Sequence, residues 1–121
     1  MRDTLLAGLT NELTHTITAE MSTGHTGTPV LSTPSMIGLM EGVCLQAAQP
    51  HLDEKEVTVG THVCVSHLAA SQQGEEVTVW CELSERNRRR LTFKVRASVG
   101  DRLLGEGTHE RAVIDTSRFA T

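Results

Sequence analysis

Aromatic side chains are nearly missing from this chain. It has no tyrosine, and Trp80, Phe93 and Phe119 make up its whole aromatic complement. Base stacking is therefore not a binding mode open to it. A net charge of −4 gives no general attraction to a polyanion, so nucleic acid is not an expected partner. Long apolar runs are missing too. None approaches the ~20 residues that span a bilayer, so no membrane partner is expected. Met1-Arg2-Asp3-Thr4 opens no signal peptide, because no cationic region precedes the short apolar run behind it. Cysteine is scarce and odd in number. Cys44, Cys64 and Cys81 are widely spaced and form no CxxC pair. They read as buried, reduced thiols of a cytoplasmic protein. At 121 residues, with no repeat and no low-complexity stretch, the chain is expected to form one domain over 1–121 with a single core.

The stretch from Thr33 to Pro50 organises what is present. Thr33 is a good N-cap, and Pro34 then falls at the first helical position, where its missing N–H is harmless. Pro50 closes the segment, since the residue before a proline avoids helical angles. Between them Ile37, Met40, Cys44 and Ala48 recur at spacings of three and four, the pattern of an amphipathic helix. Glu41 breaks that stripe. A carboxylate on a buried face costs several kcal/mol unless it is paired or neutralised. It is therefore either a rim residue or a positioned acid or base.

Strands flank this helix. Residues 1–9 read as a weak leader, helical or frayed. Thr10 to Met21 alternates as one strand, and residues 22–32 form a loop able to cover the helix N-terminus. After the helix, Val57, Val59, Thr61, Val63, Val65 and His67 share one parity. Val77, Val79, Cys81 and Leu83 do the same, as do Leu91, Phe93, Val95, Ala97 and Val99. One apolar and one polar face is the mark of an antiparallel sheet. Ser71 to Gly74, Glu85 to Arg88 and Gly100-Asp101 fit hairpin links. A last strand runs from Arg102 to about Asp115, where Gly105 and Gly107 predict a bulge or bend. The tail beyond has no clear pattern. The fold class is α+β, in the order β-α-β-β-β-β, with the antiparallel sheet wrapped around one central helix.

Three stretches carry a resemblance. They are Thr33-Pro-Ser-Met-Ile-Gly-Leu-Met-Glu41, Gly60-Thr-His-Val-Cys-Val-Ser-His67 and Gly107-Thr-His-Glu-Arg-Ala-Val-Ile114. In order and spacing the chain resembles the hot-dog-fold thioesterases, specifically the fluoroacetyl-CoA thioesterase-like family. The resemblance implies a hot-dog fold, a homodimer and hydrolysis of a small acyl-CoA thioester, with CoA a part of the substrate and no cofactor. It places a catalytic trio on Thr33, Glu41 and His67. The loop before the helix departs from the family. Gly24, His25, Thr26, Gly27 and Thr28 stand where the fluoroacetyl-CoA enzyme carries aromatics, which points to a different acyl group.

Within that frame Glu41 attacks the carbonyl carbon or activates a water. His67, pointing inward, moves protons near it. Thr33 orients, and the amides around Ser35 and Met36 are expected oxyanion donors at the positive end of the helix. Gly60 and Arg111 are expected at the substrate. Gly60 lets a ligand approach the strand or marks a bulge. For Arg111 the plainer reading is an ion pair with Glu41 or Glu110. Arg86, Arg88, Arg89, Arg90, Lys94 and Arg96 read as a solvated basic face, with a dock for CoA phosphates as the alternative. His62, Cys64 and His109 do not make a metal set, and no metal is expected. The rival function is a non-catalytic acyl-CoA or small-ligand binding module on the same fold. A hot-dog dehydratase is a third option.

Overall fold

Valine-rich alternation and turn residues set the element order. The computed structural model describes residues 1–118; the last three residues of the tail, Phe119 among them, lie outside that range. Strand β1 (Thr10–Thr16) comes first, then helix α1 (Thr33–Ala48). Strands β2 (Glu56–His67), β3 (Glu76–Asn87), β4 (Arg90–Val99) and β5 (Arg102–Asp115) follow. All pairings are antiparallel, in the spatial order β1-β3-β4-β5-β2. The apolar face of the sheet lies on α1, which touches β1, β2, β3 and β4. Val77, Val79, Cys81 and Leu83 of β3 and Leu91, Phe93 and Ala97 of β4 are fully buried there, as expected from their parity. They meet Met36, Met40, Val43 and Cys44 of the helix.

Strand adjacency differs from expectation in one link. Ser71 to Gly74 does not close a hairpin, because β2 pairs with β5 and not with β3. Alternation reveals which face of a strand is apolar but not which strand lies beside it. The turn at Gln72–Glu75, with Gly74 at φ 94°, instead delivers β3 alongside β1. The β3–β4 turn falls at Arg88-Arg89, later than expected, after an irregularity between Leu83 and Glu85. Gly100-Asp101 does close the β4–β5 hairpin. β1 ends at Thr16, and Ala19–Met21 forms a short 3-10 turn instead of continuing the strand.

Two further corrections bear on the site. The single parity expected along β2 is broken at Thr61, an extra residue between Gly60, opposite Arg111, and His62, opposite Glu110. Val57 and Val59 therefore turn outward, while Val63, Val65 and His67 keep the inward face. Residues 1–9 are no frayed leader. Leu5 is fully buried, and Arg86 holds the carbonyls of Arg2 and Leu5. Leu5→Ala is expected to lower unfolding stability by about 2–4 kcal/mol in urea titration, the usual range for a buried leucine. An unchanged midpoint would mean that this segment frays.

Candidate active site

Two adjacent hydroxyls begin α1, and they divide the work. Ser32, not Thr33, is the N-cap: its side chain accepts from the Ser35 amide at 3.2 Å. Thr33 is thereby freed from capping, and its Oγ1 lies 2.8 Å from His67 Nδ1. The expected oxyanion donors are occupied. The Ser35 amide donates to Ser32 Oγ, and the Met36 amide donates to the Ser32 carbonyl at 3.0 Å. His67 Nε2 is buried and has no hydrogen-bond partner among the described residues. Most buried polar atoms have a partner, so one left this way at a candidate site calls for an explanation.

Glu41 stands two turns further along. The buried stripe of α1 is Met36, Met40, Val43, Cys44, Ala47 and Ala48, which keeps the expected Met40, Cys44 and Ala48 and widens on the side away from Ile37. Ile37 and Glu41 therefore lie on its edge, not its centre, and the Glu41 side chain is 42% exposed. It faces the inner side of β2 and β5. Arg111, 4% exposed, places Nη1 3.9 Å from Glu41 Oε2, an ion pair without a direct hydrogen bond. The guanidinium is held from behind: Nε donates to Thr58 Oγ1 at 2.8 Å, Nη2 donates to the Thr58 carbonyl at 3.0 Å, and Nη1 lies 3.0 Å from His109 Nε2. Burial lowers its pKa from the ordinary arginine value, and the charge of Glu41 acts the other way. Arg111 thus faces Glu41, in line with the plainer expectation for it. Glu110 is on the opposite face of the sheet with His62, 3.4 Å away.

Gly60 explains how the carboxylate fits. A Cβ there would stand 3.0 Å from Glu41 Oε2 and 3.2 Å from His109 Cε1. The missing side chain is the seat of Glu41. Gly60→Ala is expected to lower kcat about tenfold by displacing the carboxylate. Stability should change by less than about 1 kcal/mol, because the backbone angle suits alanine. A melting curve beside the rate assay separates the two effects, and an unchanged kcat would remove Gly60 from the site.

The remaining expected groups are dispersed. His62 and Cys64 point to the face opposite His67, as their register requires. No group of three or more His, Cys, Asp or Glu gathers to hold a metal among the described residues. Cys44 and Cys81 are buried, but Cys64 is exposed on the sheet edge, against the expectation of three buried thiols. The contact with Cys81 and then burial push the Cys44 thiol up, so it stays protonated. The loop before α1 is tied down by a bridge between Val30 and Gln72 and by Leu31 donating to the Ser71 carbonyl. Its tip, from Gly24 to Pro29, is exposed. The Arg88, Arg89 and Arg90 side chains of the basic run are exposed on the β3–β4 turn, and Arg89 reaches Glu56.

A five-stranded antiparallel sheet around one helix, with a threonine and a carboxylate on the helix and a histidine at the end of an edge strand, defines the class: a hot-dog-fold protein of the thioesterase kind. A family model described as "Fluoroacetyl-CoA-specific thioesterase" matches residues 13–117. The fluoroacetyl-CoA thioesterase of Streptantibioticus cattleyicolor is 46% identical over 90 residues, 74% of this chain and 65% of that protein, just under two thirds of its length. The crystal structure of a mutant of the fluoroacetyl-CoA-specific thioesterase FlK, in complex with fluoroacetate and CoA, superposes with a TM-score of 0.89. It is 35% identical, over 95% of this chain and 99% of that one. A Thermus thermophilus thioesterase superfamily member also gives 0.89, at 25% identity over 98% and 90% of the two chains. The chain belongs to the fluoroacetyl-CoA-specific thioesterase family.

Proposed function

We propose that this protein hydrolyses a small acyl-CoA thioester to the free acid and CoA. The observation that carries the reading is the pairing of His67 with Thr33 through Nδ1, with Nε2 buried and without a partner among the described residues. An imidazole oriented on one side and open on the other is built to pass a proton. Glu41 attacks the carbonyl carbon or deprotonates the attacking water, and Arg111 holds it in place. A thiolate of CoA type leaves readily, so His67 needs only to manage the proton. Water is the sole co-reactant, and no cofactor enters. Free thiols suit a reducing compartment, and we place the protein in the cytoplasm.

One copy does not close this site. Thr33 and Glu41 are two helical turns apart, about 12 Å along the axis, and no hydrogen bond joins Glu41 to Thr33 or His67. The edge strand β2 supplies the remedy. Its residues from Val59 to Cys64 are exposed, Val59 and Val63 among them. An unpaired edge of this length invites a second copy. With Cys64 on the two-fold axis, Val63 stands opposite Val65 and His62 opposite Ser66. Past the extra residue Thr61, Gly60 then meets His67 of the other copy. The bulge keeps both on the inward face, so Glu41 of one subunit meets Thr33 and His67 of the other. Mild oxidation or a short bis-maleimide is expected to link two chains through Cys64, since Cys44 and Cys81 are buried. The linked band should vanish in Cys64→Ser. A dimer in sedimentation that never cross-links would contradict this register.

The function is tested by release of free CoA from acetyl-, fluoroacetyl-, branched and aromatic acyl-CoA. The exposed loop tip without aromatics favours an acyl group other than fluoroacetyl. Turnover of one member establishes the enzyme. Binding of acyl-CoA in a titration without release from any member would give the place to a binding module.

A further inference from the structure

His109 has no part in the proton transfers above, yet it lies at the back of the site. Its side chain is 1% exposed, on the inward face of β5 between Gly107 and Arg111. Nδ1 is 2.8 Å from the carbonyl oxygen of His62, which only accepts, so Nδ1 carries the proton and donates. Nε2 is then a bare acceptor, and it lies 3.0 Å from Arg111 Nη1, which only donates. The two neighbours together dictate one neutral tautomer. Burial also lowers the affinity of the ring for a second proton.

The consequence reaches Glu41. Thr58 fixes Nε and Nη2 of Arg111, and neither bond touches the nitrogen that faces the carboxylate. His109 fixes that nitrogen, Nη1, the one 3.9 Å from Glu41 Oε2. We infer that His109 is a positioning residue for the reaction: as an acceptor at Nε2 it holds the Arg111 guanidinium at the distance that seats Glu41 against Gly60. This rests on the reading of Glu41 as the acting carboxylate. A neutral acceptor suits the task. A carboxylate in its place would compete with Glu41 for the cation, and an apolar side chain would leave an N–H of a buried guanidinium unpaired.

The test compares His109→Leu, which removes the acceptor at similar volume, with His109→Gln, whose amide oxygen can accept from Arg111 while its NH2 group donates to the His62 carbonyl. His109→Leu is expected to lose kcat by about 10- to 100-fold with KM within about twofold. His109→Gln should recover to within about threefold of wild type, with thermal melts showing similar stability losses in both. Equal activity losses in both variants that follow their melting temperatures would reduce His109 to a structural role and overturn the inference, as would an unchanged kcat in His109→Leu. Should neither variant fold, imidazole 15N NMR of the wild-type protein decides. A proton on Nδ1 and an unprotonated Nε2 at neutral pH support the assignment, and a proton on Nε2 rules it out. Glu41→Gln, run alongside, separates the two readings. If it keeps full turnover, Glu41 itself is dismissed, whatever His109 does.

Discussion

Glu41→Gln is expected to lower kcat for acyl-CoA hydrolysis by about 10³-fold or more, with KM within a few-fold of wild type. The substitution keeps the shape of the side chain and removes its charge and basicity. The bonds of Arg111 to Thr58 and His109 survive, so the buried cation stays held. Glu41 is half exposed, so little folding energy rests on it, and the melting temperature should barely move. A catalytic loss without a stability loss is what distinguishes an acting carboxylate from a rim residue. Steady-state CoA release at saturating substrate reads the first, and a thermal melt the second. A glutamine variant that turns over normally would leave the helix without a catalytic base.

His67→Asn carries the second large effect, a loss of about 10²- to 10³-fold in kcat. The asparagine amide falls where Nδ1 was and keeps the bond to Thr33, but nothing replaces Nε2. The variant therefore isolates the nitrogen that has no partner among the described residues. Thr33→Val removes the other end of the same bond. It should cost less, about tenfold, because the imidazole remains and loses only its orientation. If Thr33→Val were the more damaging of the two, the hydroxyl would be the reacting group and His67 its base, reversing the roles assigned here.

The faces of β3 and β4 were readable because valine, leucine and phenylalanine alternate there with charged residues over whole strands. The start of α1 was readable from Pro34, and its end at Ala48 lies two residues before Pro50; Gln49 nevertheless keeps helical angles, and Gln49–His51 runs on as a 3-10 turn through the proline. Glu41, Thr33 and His67 stood out by motif, and the structure brings Thr33 to His67. Other features had no local signal. Ser32 and Thr33 are both competent caps, and only the finished turn shows which one Ser35 chooses. The bulge at Thr61 announces itself in sequence only as a glycine before it, yet it decides which half of β2 looks inward. Partner choice between strands is set by long-range packing, so β2 was placed beside the wrong neighbour. The seat of Arg111 joins β5 to β2 and α1. Its one trace in sequence is that His109 and Arg111 share the inward parity of Val113, two polar residues on a core face. Leu5 lies ahead of the first strand, where no pattern foretells burial.

The claim that joins these observations is a site shared between two copies, and hybrid dimers test it most directly. Glu41→Gln and His67→Asn proteins are each prepared inactive, then mixed, unfolded and refolded together, and CoA release is measured. With Glu41 of one subunit serving His67 of the other, each hybrid regains one intact site. Random assortment in an isologous dimer then restores about a quarter of wild-type activity. A mixture no more active than its two parents would place both residues of each site in the same chain and contradict the account.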